Sequence, residues 1–325
     1  MGKDREADTQ YSGAYLGWNI MRYYDESLGI YYEILQKEAE ITEKKYAVVT
    51  DADKKLNEID IPCELNSCPV EKIGKKAFLG CKGLRRVSIP YSVSSVGEWA
   101  FAFCDNLVSV EMPRRRVEWG KGVFKNDNRL VSIVINDAFS ASHLRNSEMI
   151  SVLLAAVTVL MDAEYLLDTE HAGTEEWLGK WDTRLQHLLD LADDEGYHLY
   201  VLCGEEDLHF DYEEYLEYNR EKKAHLCMLR LRNDVMLDNG LRMRLSDYLI
   251  SHTAGCESDA AIRVLTEKFG DVQEYYSLMT DIGAINPDNF EKVLDVMGDR
   301  HAQMKAYLIE QCKPSSDDFY DNLAL

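Results

Sequence analysis

The chain has 325 residues, of which 46% are hydrophobic, and its formal net charge at pH 7 is −22. This length leaves room for two or three domains, each with its own core. So large a negative charge repels the phosphate backbone of nucleic acids, and we therefore expect no nucleic-acid partner.

Residues 1–45 are predicted to form an N-terminal helical cap on the domain that follows. The apolar residues in this segment recur at spacings of three and four: Ile20, Tyr24, Leu28, Tyr31 and Leu35. The first residues, MGKDREADTQ, contain no apolar core of a secretory signal. We therefore expect a cytoplasmic protein, with export through a signal outside this sequence as the alternative.

A 23-residue period organises residues 46–136. Three segments align at six apolar or glycine positions: IGKKAFLGCKGLRRVSIP (73–90), VGEWAFAFCDNLVSVEMP (96–113) and WGKGVFKNDNRLVSIVIN (119–136). Each contains an alternating apolar stretch typical of a short half-buried strand, and each directs an aromatic residue, Phe78 or its equivalent, inward. Because one unit cannot bury its own apolar side, the pattern predicts a solenoid of stacked units.

Residues 73–101 carry a recognisable form of this repeat. Their sequence, IGKKAFLGCKGLRRVSIPYSVSSVGEWAF, resembles the BspA-like leucine-rich repeats of bacteria, whose form is IGxxAFxxCxxLxxVxIPxSVxxIG. The preceding EIDIPCELNSCPVEKIG resembles the opening segment usual in that family, with an insertion of five residues. The third copy departs at Trp119, Asp127 and Asn136, and we interpret it as a capping repeat. The resemblance implies a short leucine-rich-repeat solenoid over residues 46–136.

Strand alternation predicts a possible binding face on this solenoid. If Val87 and Ile89 point inward, Arg86 and Ser88 point outward. Together with the equivalent positions in the other units, the predicted face comprises Glu58, Asp60, Arg86, Ser88, Ser109, Glu111, Ser132 and Val134. The alternative is a solvated sheet surface without a ligand. The run Arg114–Arg116 is expected to lie in a solvated turn or to contact the acidic part of the chain.

The charge distribution suggests a domain boundary near residue 137. Residues 46–136 contain 14 Lys and Arg against 11 Asp and Glu, whereas residues 137–325 contain 16 against 38. Helical spacing predicts an all-helical domain over residues 137–313, followed by an acidic tail at 314–325. The apolar run Met149–Met161 is too short to span a bilayer and predicts a buried helix, so we expect no membrane insertion.

Two segments of the helical part are similar to each other at an offset of 29 residues. Each, 261–283 and 292–312, reads as a helix, a turn with Gly and Asp, and a second helix. The pair weakly resembles ankyrin-type repeats, and a plain helical bundle is the alternative. The expected fold class is therefore α+β, a short solenoid with a helical domain behind it.

The sequence lacks the short motifs typical of nucleotide-binding, zinc-protease, serine-hydrolase or calcium sites. We therefore expect neither a cofactor nor an enzyme. His209, in EEDLHFDYEEYLE, is interpreted as part of a solvated acidic loop, with a metal site as the alternative. Asp51 and Asp53 are assigned to a turn. Cys63 and Cys68 lack a second ligand pair at zinc spacing, and all eight cysteines are expected to be reduced thiols.

Three functional hypotheses follow from the sequence. The first is a non-catalytic protein-binding or scaffold module of a bacterium, with an unidentified protein partner. The second is an exported, adhesin-like surface-binding protein, because BspA-like repeats often occur on exported proteins. The third is an enzyme with a cryptic site in the helical domain.

Overall fold

The computed structural model describes residues 5–6, 21–36, 44–136, 144–198, 212–254 and 257–313. The chain divides into two compact units, Met1–Trp181 and Asp182–Leu325. None of the helices in the described ranges combines the length and the apolar character that crossing a bilayer requires.

One side of the first unit is a sheet whose strands follow the order β1-β2-β3-β4-β7-β9-β11, with β6 paired to β7. Its strands are β1 (Arg5–Glu6), β2 (Arg22–Asp25), β3 (Ile30–Gln36), β4 (Lys45–Ala52), β6 (Glu64–Leu65), β7 (Cys68–Ile73), β9 (Ser95–Val96) and β11 (Glu118–Trp119). From β4 onward along this path the pairing is parallel. Ile73 pairs with Val96, which pairs with Trp119, so one 23-residue period is one turn of a solenoid.

A second, wholly parallel sheet has the strand order β12-β10-β8-β5. Its strands are β5 (Glu58–Asp60), β8 (Arg86–Ser88), β10 (Ser109–Pro113) and β12 (Ser132–Asn136). Their central residues are apolar and buried, and they stand in register from turn to turn: Ile59, Val87, Val110 and Ile133. The predicted solenoid is confirmed, and it has four turns in this sheet.

The core between the two sheets is built from repeat positions. The rings of Phe78 and Phe101 stack with centroids 5.0 Å apart, and those of Phe101 and Phe124 stack at 5.7 Å. Val87 and Ile89 are buried, which confirms the predicted direction of the strand side chains. Each layer is covered by its neighbours, so the apolar surface of one turn is removed from water only by stacking.

The prediction of helix for the N-terminal segment is wrong for residues 21–36. β2 and β3 form an antiparallel hairpin, and β3 pairs antiparallel with β4. Tyr24 lies against Tyr31 with ring centroids 4.6 Å apart, and Tyr23 stacks on Tyr32 at 5.3 Å. Such cross-strand aromatic pairs stabilise a hairpin. Gly29 adopts a φ of +65° at the turn, which glycine accepts without strain.

The other end of the solenoid is covered by helix α1 (Leu144–Val159), which packs against β12. Its interior side chains, among them Leu153 and Leu154, are fully buried, so the buried helix predicted from the apolar run is confirmed. Helix α2 (Glu175–Asp190) begins in the same unit. The indole N–H groups of Trp177 and Trp181 donate to the carbonyls of Leu166 and Leu153. The compact unit thus extends well past residue 137, where the charge changes.

The second unit is helical. After the end of α2 it contains α3 (Tyr212–Arg232), α4 (Asn239–Ser251), α5 (Ala260–Lys268), α6 (Gln273–Asp281), α7 (Phe290–Met297) and α8 (Ala302–Cys312). α3 packs against α4, α5 and α6, while α5 packs against α7 and α6 against α8. The repeated helix–turn–helix predicted from the 29-residue offset is therefore present, since equivalent helices lie side by side. The ankyrin-type resemblance stays a prediction.

Candidate binding face

The eight predicted face residues lie together on the second sheet. One row follows the pairing of Glu58 with Arg86, Ser109 and Ser132, and a parallel row joins Asp60, Ser88, Glu111 and Val134. We call these eight residues the sheet face. The register brings the eight positions together because each turn of the repeat presents the same two outward positions.

Arg86 is the centre of the charged half of the sheet face. Its guanidinium lies 2.9 Å from a carboxylate oxygen of Asp60, 3.4 Å from Glu58 and 3.7 Å from Glu111. The hydrogen bond from Arg86 to Asp60 raises the pKa of the guanidinium, and the nearby Glu58 and Glu111 add to this effect. Three carboxylates surround one cation, so this half of the face carries an excess of negative charge.

The two halves of the sheet face differ in chemistry. The side chains of Glu58 and Asp60, on the outermost strand, are 59% and 71% exposed, whereas that of Glu111 is 33% exposed. On the other half, the hydroxyl of Ser132 donates to that of Ser109 over 3.1 Å. The face can therefore pair with cations along β5 and exchange hydrogen bonds along β10 and β12.

The structure tests several of the other sequence interpretations. Asp51 lies in strand β4 and binds Arg22 at 3.3 Å, so its assignment to a turn is wrong. Asp53 follows the strand and accepts a hydrogen bond from the Lys55 backbone. His209 lies outside the described residues. In the part of the chain that the structure describes, His, Cys, Asp and Glu side chains nowhere gather in a group of three or more that could hold a metal ion.

The arginine run after β10 makes ordered contacts. Arg114 donates to the carbonyls of Glu170 and Ala172 at 3.1 and 3.0 Å. The hydroxyl of Thr169 donates to the Arg115 carbonyl at 2.7 Å. The predicted contact with the chain beyond residue 137 is therefore present for Arg114, although its acceptors are backbone carbonyls rather than carboxylates.

The repeated cysteine position is occupied by small buried side chains, as expected from the sequence. Cys81 and Cys104 are fully buried, and the Cys104 thiol donates to the Phe78 carbonyl at 3.2 Å. In the third copy Asp127 accepts the backbone N–H of Cys104 at 2.8 Å. Burial raises the pKa of Asp127 to about 8, although the Cys104 hydrogen bond opposes the shift.

Sequence reasoning missed one exposed pair of aromatic residues, Trp99 and Phe103. Each is 38% exposed, and their ring centroids lie 6.2 Å apart. The repeat alignment could have revealed this pair, because the other two copies carry no aromatic residue at these positions. Trp99 is equivalent to Lys76 and Gly122, and Phe103 is equivalent to Gly80 and Asn126.

Comparison with known proteins identifies the repeat. Residues 51–155 match the family described as "BspA type Leucine rich repeat region (6 copies)", a range that continues past β12 into α1. No curated protein matches the chain.

Solved leucine-rich-repeat proteins resemble about a third of this chain. A leucine rich repeat protein of T. pallidum is 24% identical, with a TM-score of 0.25, over 34% of this chain and 53% of its own. A leucine rich cell surface protein of Faecalibacterium prausnitzii is 25% identical, with a TM-score of 0.29, over 36% and 30%. A leucine-rich repeat protein of Bacteroides ovatus is 24% identical, with a TM-score of 0.25, over 31% of this chain and 27% of its own. These three matches span about half or less of the length of the proteins concerned. Residues 51–155 are a BspA-type leucine-rich repeat region, in a chain whose second unit is helical.

Proposed function

We propose that this chain is a non-catalytic protein-binding module that contacts its partner through the sheet face. The observation that carries the proposal is the register that places eight outward side chains in two adjacent rows. Leucine-rich repeats of this type are typically protein-binding or surface-associated, which supports the same reading.

The charge of the sheet face indicates the chemistry of its partner. Glu58 and Asp60 are well exposed, and Arg86, the cation that binds them, is shared among three carboxylates. A partner that presents Lys or Arg side chains would find unsatisfied negative charge along β5. Complementary charge of this kind mainly sets specificity and association rate.

Charge reversal tests the sheet face directly. The intact chain with Glu58→Lys and Asp60→Lys is compared with a matched control, Glu64→Lys and Glu118→Lys, whose exposed acidic residues lie on strands of the other sheet. A photo-crosslinking side chain placed at Ser109 identifies proteins that bind the sheet face. The same side chain at Ser95, on β9 of the other sheet, is the control.

We expect a partner that crosslinks from position 109 but not from position 95. Its affinity for the face variant is expected to fall at least about tenfold, equivalent to about 1.4 kcal/mol, while the control variant keeps the affinity of the parent. Equal affinity for the parent and the face variant would contradict the proposal. An equal loss in both variants would indicate net charge rather than the sheet face as the cause.

The cysteines favour the cytoplasmic hypothesis over the exported one. Cys81 and Cys104 fill equivalent buried positions in successive turns, and the Cys104 thiol has its own hydrogen-bond acceptor. Their role as small core residues explains their presence without a disulfide. Titration of the thiols of the denatured chain without reductant tests this preference.

A further inference from the structure

The turns of the solenoid, away from the sheet face, carry two bulky residues in a backbone conformation that rarely accepts them. Trp99 has a φ of 59° and Phe103 a φ of 60°. Side chains with a Cβ atom are disfavoured in this left-handed region, and bulky ones most of all. Backbone strain of this kind concentrates at functional sites.

The neighbouring turns adopt the same conformation with residues better suited to it. The positions equivalent to Trp99 and Phe103 are Lys76 and Gly80 in the turn before, and Gly122 and Asn126 in the turn after, all with φ between 62° and 68°. Glycine and asparagine are the residues that tolerate this region. The fold therefore does not require aromatic side chains here, although it accommodates them in the middle turn.

The Trp99 indole is held between its neighbours. On one side, a Cβ atom added to Gly122 would lie 3.2 Å from the indole nitrogen, so the ring rests against this glycine. On the other, the Lys76 ammonium lies 5.8 Å from the ring centroid, within reach of a cation–π contact. Trp99 thus presents a positioned, partly exposed apolar surface beside Phe103.

The charges around this aromatic pair are mainly positive. The carbonyls that accept the backbone N–H groups of Trp99 and Phe103 belong to Lys121 and Lys125, both exposed. Two nearby carboxylates keep their negative charge and stand against Lys75, Lys76, Lys121 and Lys125. Glu98 binds Lys75 at 2.6 Å, and Glu164 accepts the backbone N–H of Gly122 at 2.8 Å. This local excess of cations contrasts with the charge of −22 on the whole chain.

We propose that Trp99, Phe103, Lys76, Lys121 and Lys125, the turn cluster, bind an acidic peptide segment that carries an apolar anchor side chain. The aromatic pair would cover the anchor, and the three lysines would pair with the flanking carboxylates. Aromatic residues are enriched where few side chains supply most of the binding energy. The expected partner of the turn cluster is acidic, whereas the expected partner of the sheet face is basic, so the two surfaces select different ligands.

The turn cluster has few cations, and this favours a peptide over a single-stranded nucleic acid as its ligand. Affinity for nucleic acid comes mostly from neutralising several phosphates, and the turn cluster offers three lysines on a strongly acidic chain. An acidic peptide needs fewer ion pairs because its anchor side chain supplies apolar contact.

The proposal is tested by selecting, from a displayed library of random dodecapeptides, those that bind the intact chain. The affinity of the selected peptides is then measured for the parent and for the aromatic variant, Trp99→Gly with Phe103→Asn. This variant carries the residues of the next turn, which suit the left-handed backbone. A second variant, Lys121→Gln with Lys125→Gln, removes two charges. The control Val108→Asn removes an exposed apolar side chain elsewhere, and urea unfolding verifies that each variant folds.

We expect selected peptides rich in Asp and Glu around an aromatic or aliphatic residue. Their affinity is expected to fall at least tenfold with the aromatic variant and severalfold with the lysine variant, and to be unchanged with Val108→Asn. The proposal is overturned if the selection yields no acidic peptide, or if the acidic peptides bind the aromatic variant as well as the parent. It is also overturned if an oligothymidylate binds the turn cluster more tightly than the peptides do. Basic peptides that lose affinity for the chain with Glu58→Lys and Asp60→Lys would bind the sheet face, and they bear only on the function proposed above.

Discussion

Gly97 lies so close to Lys75 in the preceding turn that a Cβ atom on Gly97 would stand 2.5 Å from the Lys75 backbone nitrogen. Gly120 is in the same relationship to Glu98, one turn later. Glycine therefore recurs every 23 residues because successive turns approach each other backbone to backbone. The collision would be with main-chain atoms, which cannot move aside as a flexible side chain can.

Gly97→Ala is expected to lower the free energy of unfolding by about 1–3 kcal/mol or more, since it forces two turns apart. Urea unfolding of the intact chain measures the effect. The matched control is Gly179→Ala in helix α2, where an added Cβ atom would point into open space among the residues that the structure describes. That control is expected to stabilise by about 0.5–1 kcal/mol, as alanine does in a helix. Equal effects at the two glycines would disprove the close approach.

Asp127 is expected to make the stability of the repeat unit fall as the pH rises. Its folded pKa is about 8, above the usual 3.8, so between these values the folded state keeps a proton that the unfolded state releases. Raising the pH through this window therefore favours unfolding, by about 1.4 kcal/mol per pH unit. The loss begins near pH 4 and is complete above about pH 8.

Asp127→Asn tests this pH dependence. Between pH 5 and 7 the parent is expected to lose about 2–3 kcal/mol more free energy of unfolding than the variant does. Glu118→Gln, which removes an exposed carboxylate of strand β11, is the control for net charge. If urea unfolding gives parallel pH profiles for the parent and Asp127→Asn, the carboxyl group is not the source of the dependence.

Arg230 is expected to be essential to the second unit. Its side chain is fully buried and binds both carboxylate oxygens of Asp182, at 2.6 and 2.9 Å. Removing one partner leaves a buried charge unpaired, so Arg230→Met is expected to destabilise by about 3–5 kcal/mol. Arg230→Met combined with Asp182→Leu is expected to recover much of this loss.

The control for Arg230 is an exposed ion pair of similar length. Arg242 binds Asp234 at 2.8 Å with both side chains well exposed, and Arg242→Met is expected to cost less than about 1 kcal/mol. Urea unfolding of the intact chain, monitored by helical circular dichroism, distinguishes the two. A small loss for Arg230→Met, comparable to that of Arg242→Met, would show that the buried pair contributes little.

Cys63 is expected to be the fast-reacting thiol among the six described cysteines. It is exposed, while Cys68, Cys81, Cys104, Cys227 and Cys312 are buried. Burial raises the pKa of the Cys81, Cys104, Cys227 and Cys312 thiols, which lowers the fraction of reactive thiolate. Cys63→Ser is expected to remove a fast phase from the reaction of the native chain with a thiol reagent.

Denaturation without reductant extends this measurement to the whole chain. All eight cysteines are then expected to react, as reduced thiols do. A lower number would show that disulfides form, and it would favour the exported alternative over the cytoplasmic one.

The repeat shows how far sequence reasoning reaches. Ile73, Val96 and Trp119 align at 23 residues and also pair strand to strand, because each turn contacts only the turns next to it. The same regularity places the eight residues of the sheet face. It does not specify that Arg86 binds Glu58 and Asp60, since the opening unit carries an insertion and only the register of β5 and β8 pairs them.

The N-terminal segment shows where sequence reasoning fails. Tyr24, Leu28 and Tyr31 fit helical spacing, but the tyrosines also suit an extended strand. The structure selects the strand, because β3 adds to β4 at the edge of the sheet and the tyrosines pair across the hairpin. Local propensity cannot decide between the two when the stabilising contact comes from another part of the chain.

The repeat pattern and the helical spacing are enough to predict the solenoid, the inward and outward positions of its strands, the buried helix after it and the helical pairs of the second unit. These features depend on short periods, in which neighbouring residues or adjacent turns bury each other's apolar surface. Contacts between distant segments were needed to establish the tyrosine hairpin, the packing of α1 on β12, the partners of Arg86 and the exposure of Trp99 beside Phe103. Each of these depends on register or packing between segments whose local sequences allow more than one conformation.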